Sequence, residues 1–401
     1  MIKILILISF IIENIFDFVL VKLNDSYVKK PLPENVKDVY DEAKYNKWIN
    51  YRNDSKKFSA VQTLITAAIT LILYIFNIHA KVFGLFGFNR FVSNLLLILI
   101  FMVFSTVISI PFSYYSNFVI EEKYGFNKTT IKTFILDIIK EFAIGTVIMV
   151  LLFGVVMLLF EKFGNWGILF TIVAVILFNV FVSLFSMTFL RIFNKFTPLE
   201  EGELRDGLTE LCTKYNVKIK EIYVMDASKR TTRANAFCTG FGKKTISLDD
   251  NLVNNYSNDK IVAVFAHEFG HAKHKHILKS MWFAFLRIII LIAALGVILN
   301  FPVICQSFGF EDVNYFFAFT ILTTISWPLS RVFDLISNKI SRTFEYQADA
   351  FAANEGYGEP LIGALKQLSR DALTNLNPHP AVVALEYSHP TLSQRISAIR
   401  K

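Results

Sequence analysis

The residues with the clearest chemical potential form one short run, His267-Glu268-Phe269-Gly270-His271. No proline interrupts the apolar stretch around this run, so the sequence predicts a helix here. Residues four apart lie one turn above each other on a helix, so His267 and His271 point the same way and can hold one metal ion. Glu268 lies beside them, placed to take a proton from an attacking water molecule.

This H-E-x-x-H spacing is typical of zinc peptidases, and the alternative is a polar surface helix that fits by chance. Such a site also needs a third ligand, usually a histidine or a carboxylate far along the sequence. A predicted helix over 338–354 offers Glu345 and Asp349 on one face. Glu345 is the candidate ligand, and Asp349 can orient a histidine. Spacing alone allows either acid to bind the metal, or neither if this is an exposed acidic face.

Further histidines lie near the run and near the carboxyl end. His389 precedes a proline, so we expect it in an extended or turn segment that opens a helix, with Arg395 on that helix. A histidine at a helix start is usually a capping or surface residue, unless it lies close to the metal. His274 and His276 follow the run directly, and we expect both to be solvated or interfacial.

The composition indicates a membrane protein. The 401 residues are 54% hydrophobic and include 41 phenylalanines, with a mean hydropathy of +0.46, which is too apolar for an ordinary soluble protein. The net charge of +8 favours basic loops at an anionic membrane face, and we expect no nucleic-acid partner.

Seven apolar stretches approach the roughly 20 residues that a helix needs to cross the hydrocarbon core. The first contains Glu13 and Asp17 on one helix face, which we expect to point into protein or water, unless the segment lies shallow in the membrane. The last contains Pro328 near its end. The sequence predicts a mostly α-helical, polytopic membrane protein with seven transmembrane helices, at 2–21, 60–78, 91–112, 144–160, 168–190, 281–304 and 315–332.

Basic residues predict the orientation of these helices. Seven crossings put nearly all the lysines and arginines on one side, in the loops 24–58, 113–143 and 191–280 and in the tail after 331. The positive-inside rule then places the amino terminus outside, and the carboxyl terminus and the H-E-x-x-H helix in the cytoplasm. An even number of crossings would scatter the basic loops over both sides.

The largest polar insertion, 191–280, has a mixed pattern. We predict a helix over 204–215, a strand over 220–225, and two short strands over 234–237 and 244–248, joined through Gly240 and Gly242. An exposed strand edge beside a peptidase site can bind a peptide by backbone pairing, although a plain structural hairpin fits equally well. The predicted regions are 1–190 in the membrane, 191–280 as the first part of a peptidase domain, 281–332 in the membrane, and 333–401 as the rest of that domain.

Together these segments resemble the type I CaaX prenyl proteases, which are integral-membrane zinc endopeptidases of the a-factor-converting type. The likeness extends beyond the H-E-x-x-H run in order and approximate spacing along nearly the whole chain. It includes Lys30-Pro31 and the segments 41–45, 118–127, 194–199, 228–236, 344–349 and 389–391.

The resemblance implies a seven-helix barrel that encloses a water-filled chamber capped by the zinc domain, and we infer that Glu13 and Asp17 line this chamber. It implies one Zn²⁺ ion and a set of site residues. These are His267, His271 and Glu345 as ligands, Glu268 as general base, His389 as a residue that steadies the oxyanion, Asp349 and Arg395 as a supporting pair, and Asn235 and Ala236 as the strand that holds the substrate backbone.

The resemblance further implies a peptide or protein substrate with a prenylated carboxyl-terminal cysteine motif, cut just after the lipidated residue, in the endoplasmic reticulum or a bacterial inner membrane depending on the host. One alternative is a quality-control zinc protease of broad specificity, but such relatives usually have fewer spans and lack a long basic amino-terminal segment. The other is a non-catalytic seven-helix receptor, carrier or scaffold, against which Glu268 argues, since a structural zinc site needs no base.

Overall fold

The computed structural model describes residues 1–239 and 244–401. Helices dominate these residues. In chain order they are α1 (Ile2–Tyr27), α2 (Glu42–Ile75), α3 (Ile78–Phe83), α4 (Arg90–Tyr115), α5 (Ile131–Phe163), α6 (Gly167–Leu184), α7 (Ser186–Phe193), α8 (Glu203–Lys214), α9 (Asp250–Asn255), α10 (Asn258–Lys273), α11 (His276–Leu299), α12 (Val303–Gln306), α13 (Tyr315–Ile325), α14 (Trp327–Ala352), α15 (Gly358–Asp371), α16 (Pro380–Glu386) and α17 (Leu392–Ile399).

Several of these helices can cross a membrane. By length and composition, five helical stretches qualify among the described residues: α1, α2, Arg90–Glu121, Ile131–Leu184 and α11. Large apolar side chains cover their outer faces, for example Leu64, Leu151 and Trp282. Exposing so much apolar surface to water is unfavourable, so these faces contact lipid and the chain is an integral membrane protein.

The last predicted span, 315–332, is not one straight helix. It is broken at Ser326 into α13 and α14, which meet at 59°, and counting this bent pair as one span raises the number of spans to six. Pro328 lies in the first turn of α14, where a missing backbone N–H costs nothing. The proline therefore starts a new helix, whereas the sequence pattern placed it near the end of an old one.

The acidic face of α1 points towards protein, as expected from the cost of charge in lipid. Asp17 forms an ion pair with Arg331 of α14. One turn earlier, at the first residue of α14, Trp327 Nε1 donates a hydrogen bond to Ser9 Oγ at 3.1 Å. These contacts hold the first helix against the helix that later carries Glu345.

The polar insertion contains a four-stranded sheet in the order β1-β2-β4-β3, with β1 at Phe196–Pro198, β2 at Ile219–Met225, β3 at Ala236–Thr239 and β4 at Lys244–Asp249. Strand β2 is antiparallel to β1 and parallel to β4, and β3 is antiparallel to β4. The three predicted strands are present, while β1 is too short to show a pattern in the sequence. Gly240 and Gly242 lie outside the described residues. Strand β3 forms one edge of the sheet.

One hydrophobic core joins this sheet to helices from two distant parts of the chain. Leu208, Ile222, Leu248 and Phe265 are fully buried in it, together with Leu361 from α15. The end of α14 and the segment after it therefore complete a core that was begun before α11, and α11 to α13 are inserted between its two parts. The predicted region boundaries at 280 and 332 both fall inside long helices, α11 and α14.

Arginines before β3 tie this core to the membrane helices. Arg230 donates two hydrogen bonds to Asp137 of α5, at 2.8 and 3.0 Å. Arg233 contacts Glu121 at 2.9 Å and donates to the Tyr51 hydroxyl at 2.9 Å. Bidentate guanidinium–carboxylate pairs fix orientation as well as distance. The strand edge of β3 is thus held at a defined place relative to α2, α5 and the helical turn Ser116–Glu121 that follows α4.

Helices α10 and α14 approach each other closely at Gly270. A Cβ atom at this position would lie 3.0 Å from Ala348 Cα, 3.3 Å from the Ala348 carbonyl oxygen and 3.2 Å from Phe351 Cβ. Two of these atoms belong to the backbone of α14, so a side chain at 270 would force the helices apart. The glycine inside the H-E-x-x-H run therefore sets the distance between the two helices.

We predict that Gly270→Ala destabilises the protein by about 1–3 kcal/mol, because overpacking outweighs the better helix propensity of alanine. The measurement is the thermal unfolding midpoint of the detergent-solubilised protein. Gly363→Ala in α15 is the matched control, since a Cβ there would meet only Lys260 Cε, at 3.2 Å. Equal midpoints for Gly270→Ala and the parent protein would contradict the packing argument.

Candidate metal centre

Helix α10 brings its two histidines together as the i, i+4 spacing predicts. His267 Nε2 and His271 Nε2 lie 3.2 Å apart. The helix is buried along this part of its length, with Ile261, Ala263 and Ala266 in the core, so its orientation is fixed by packing. Both imidazoles therefore aim their Nε2 atoms at one point on the side of the helix that faces α14.

Glu345 of α14 completes the cluster. Its Oε2 lies 3.5 Å from His267 Nε2, and its Oε1 lies 3.2 Å from His271 Nε2. The side chain is buried, with only 7% of its surface exposed. Among the described residues, His267, His271 and Glu345 are the one group of His, Cys, Asp or Glu side chains whose ligand atoms converge in this way.

The geometry fits a tetrahedral metal ion. Ligands at about 2.0–2.2 Å from such an ion are separated from one another by about 3.3–3.6 Å. The two Nε2 atoms lie 3.2 Å apart, and each has one Glu345 oxygen at 3.2–3.5 Å, Oε2 for His267 and Oε1 for His271. In addition, Glu345 Oε2 is buried and receives no hydrogen bond among the described residues, although Arg395 Nη1 lies 3.4 Å from it as an ion pair. The guanidinium offsets some of the cost of burying this carboxylate, and Oε2 still lacks a hydrogen bond. The three side chains are thus placed so that they could hold a divalent metal ion.

Asp349 lies behind the cluster and does not enter it. Its Oδ1 is 2.9 Å from His267 Nδ1, the ring nitrogen that faces away from Glu345. Arg395 of α17 donates to both carboxylate oxygens of Asp349, at 2.8 and 2.6 Å. The tertiary structure therefore separates the two acids that spacing could not tell apart, and it gives Asp349 the position of an orienting group.

Glu268 follows His267 on α10 and lies beside the same cluster. Burial raises the pKa of its carboxyl group, and this rise would be opposed only by protonated forms of the neighbouring imidazoles of His267 and His271. A carboxylate with a raised pKa is a more effective proton acceptor near neutral pH. The environment of Glu268 therefore suits a general base.

His389 reaches the cluster from the opposite direction. Its Nε2 lies 3.4 Å from Glu345 Oε1, and 63% of its side chain is exposed. The segment is fixed by a capping box at the start of α17, where Thr391 and Gln394 exchange hydrogen bonds. His389 is therefore more than a capping or surface residue, because it lies next to Glu345 and is also open to solvent.

Asn235 and Ala236 lie at the start of the edge strand. Ala236 pairs with Leu248 in the sheet, and the Asn235 carbonyl accepts a hydrogen bond from Asp249 N at 3.0 Å. Strand β3 packs against α10, the helix of the two histidines. Beneath it, Asp249 is buried, and burial raises its pKa to about 7. The sequence pattern gave no reason to single out this aspartate.

His276 is the main residue that sequence reasoning misjudged. We expected it to be solvated or interfacial, but it is 3% exposed and its Nδ1 lies 3.0 Å from His271 Nδ1. A spacing of five residues does not share a face on a continuous helix, so the sequence carried no clear signal. The left-handed conformation of Lys275, with φ of 56°, ends α10 and turns His276 back towards the cluster. His274, in contrast, is exposed as expected.

Comparisons with known proteins agree with this geometry. Residues 24–195 match a family described as CAAX prenyl protease N-terminal, five membrane helices. Residues 198–401 match peptidase family M48.

Whole-chain relatives extend the match. A probable CAAX prenyl protease 1 of Schizosaccharomyces pombe is 34% identical, over 92% of this chain and 82% of its own length. CAAX prenyl protease 1 of Saccharomyces cerevisiae is 33% identical, over 92% of this chain and 88% of its own length. The crystal structure of Ste24p from S. mikatae superposes with a TM-score of 0.94 at 29% identity, covering 100% of this chain and 99% of that one. The chain therefore belongs to peptidase family M48 and is a membrane-embedded metallopeptidase.

Proposed function

We propose that the chain is a zinc endopeptidase with one Zn²⁺ ion held by His267, His271 and Glu345. The observation that carries this proposal is the convergence of their three ligand atoms beside Glu268. Two imidazoles and one carboxylate form the donor set of catalytic zinc sites, which keep a further position open. When bound, zinc polarises the substrate carbonyl and makes the attacking water more acidic.

In this proposal Glu268 acts as the general base and then as the general acid. It takes a proton from the attacking water and later delivers a proton to the amine of the leaving peptide. Asp349 and Arg395 keep the His267 ring oriented through the Nδ1 hydrogen bond. His389 is exposed beside Glu345, where its ring can donate a hydrogen bond to the developing oxyanion.

The substrate backbone is held by the edge strand β3 in this proposal. Asn235 and Ala236 lie at the start of this strand, and an extended peptide added along the strand gains strand-type hydrogen bonds. The packing of β3 against α10 supports a peptide path that passes close to the histidines. This arrangement favours cleavage within an extended segment.

We propose that the substrate carries a prenylated carboxyl-terminal cysteine. The relatives that span most of this chain are named CAAX prenyl proteases. A cavity of about 360 Å³ between α11 and α14 adjoins His271 and Glu345, and its walls include the apolar side chains of Ile277, Met281 and Phe344. An apolar cavity next to the metal ligands suits a hydrophobic group close to the cleaved bond.

We further propose seven membrane crossings around a water-filled chamber. The helical stretch Ile131–Leu184 contains a break at Gly164, with φ of 53° and ψ of −129°, and α5 and α6 on either side of it pack against each other. Such packing is that of two helices joined by a tight turn. With α1, α2, α4, α11 and the bent pair, this makes seven. The peptidase domain is then discontinuous, comprising 191–280 and 333–401, and faces the cytoplasm, in the endoplasmic reticulum or a bacterial inner membrane according to the host.

We predict that Glu268→Gln retains one zinc ion per chain but lowers the rate of peptide hydrolysis by about 10²–10⁴-fold or more, because the amide cannot accept the proton. The measurements are bound zinc by elemental analysis and cleavage of a farnesylated carboxyl-terminal peptide. Cleavage at the parental rate by this variant would remove Glu268 from the proposed role.

We predict that the parent protein cleaves a farnesylated peptide and leaves a non-prenylated peptide of the same sequence largely intact. Each peptide is incubated with the purified protein, and the products are identified by mass spectrometry. Equal cleavage of both peptides would favour the quality-control protease, and bound zinc without any cleavage would favour the scaffold.

We predict opposite accessibility for two engineered cysteines in a background without Cys212, Cys238 and Cys305. A membrane-impermeant thiol reagent added to intact, cytoplasm-side-in vesicles should label Asn165→Cys between α5 and α6, and it should label Lys37→Cys only after permeabilisation. The reason is that an odd number of crossings separates the basic loops from the short loops. Labelling of both positions from one side would contradict the proposed topology.

A further inference from the structure

His276 makes three contacts that together fix its ring. Its Nδ1 lies 3.0 Å from His271 Nδ1, and its Nε2 lies 2.8 Å from Gln347 Oε1. Its ring stacks on Phe344, with centroids 4.1 Å apart and an angle of 8°. Phe344 and Gln347 flank Glu345 on α14, so His276 joins the start of α11 to the helix that carries the third ligand.

The contacts determine where the protons must be. His271 Nε2 points at Glu345 and the metal position, so this nitrogen must present a lone pair and the proton must lie on Nδ1. The neighbouring His276 Nδ1 must then accept this proton's hydrogen bond, which requires the proton of His276 to lie on Nε2. Gln347 Oε1 accepts a hydrogen bond from that Nε2–H. Gln347 thus fixes the tautomer of His276, and His276 fixes the tautomer of His271.

We propose that His276 is a positioning residue of the metal centre, which accepts the Nδ1–H of His271 and, with Gln347, locks the ring that binds the metal. This inference rests on the proposed metal site. It assigns the two histidine ligands different supports: His267 is oriented by the carboxylate of Asp349, and His271 by a neutral imidazole. Groups that orient ligating histidines typically change metal affinity by 10–100-fold when they are removed.

The test measures zinc affinity of the full-length protein in detergent by competition with a chelator. We expect His276→Phe to bind zinc about 10–100-fold more weakly, because phenylalanine keeps the ring shape and the stacking on Phe344 but accepts no hydrogen bond. His276→Asn should recover most of this loss, since the Asn Oδ1 occupies nearly the place of the imidazole Nδ1. The absorption spectrum of the Co²⁺-loaded protein should change in the phenylalanine variant and less in the asparagine variant.

His274→Phe is the matched control. It changes the same residue type close to the same helix junction, but His274 is exposed. Its ring stacks on His276, with centroids 5.5 Å apart, an arrangement that phenylalanine can keep. We expect its zinc affinity to equal that of the parent protein. Thermal unfolding of each metal-free variant shows whether it is folded.

A second pair of variants decides the question if His276→Phe does not fold. Gln347 is exposed on α14, so its substitution spares the core. Gln347→Met removes the acceptor and should weaken zinc binding, whereas Gln347→Glu keeps an acceptor and should retain zinc binding.

The inference is overturned if His276→Phe binds zinc within twofold of the parent, if the phenylalanine and asparagine variants lose affinity equally, or if the two Gln347 variants bind alike. A parent protein that binds no zinc would instead overturn the proposed function, and with it this inference.

Discussion

The metal centre depends on the close contact between α10 and α14. Two histidines from one helix and a carboxylate from another can share an ion only if their backbones approach at this point. The approach is possible because Gly270 has no side chain and meets the small residue Ala348 on the facing helix. Close-packed interiors transmit small changes in volume, so the spacing of these two helices sets the distances among the ligand atoms.

The carboxylates of Asp349 and Glu345 are both buried, and different contacts offset the free-energy cost of burying each one. Asp349 is 1% exposed, and Arg395 neutralises it through two hydrogen bonds. An isolated buried carboxylate would cost several kcal/mol. Glu345 is treated differently, since Arg395 Nη1 lies 3.4 Å from its Oε2 but this oxygen receives no hydrogen bond among the described residues. The fold therefore gives Asp349 two hydrogen bonds from Arg395 and leaves one oxygen of Glu345 without any, which suits the metal-binding role proposed for Glu345.

Helices α11 and α14 connect the membrane region directly to the site. Helix α14 begins beside α1, where Arg331 pairs with Asp17, and ends in the core with Glu345 and Asp349. Helix α11 begins with His276 and continues as a membrane-capable helix. Long helices behave as stiff rods, so the arrangement of the membrane helices and the positions of the ligands are fixed together.

Several helices and strands of this protein could be predicted from local periodicity in the sequence. The H-E-x-x-H helix, the strands near 220, 236 and 246, and most of the membrane helices follow from spacing and hydropathy, because those patterns depend on neighbouring residues. Periodicity did not distinguish Glu345 from Asp349 or place His389 near either of them, although the family resemblance implied both roles. The tertiary structure puts Glu345 against His271 and His389 beside Glu345, and it breaks the last predicted span at Ser326. It also decided that His276 is buried against His271, through a left-handed Lys275 that no periodicity predicts. These features depend on contacts between segments far apart in the chain, and the packing of the whole molecule alone sets the distances between them.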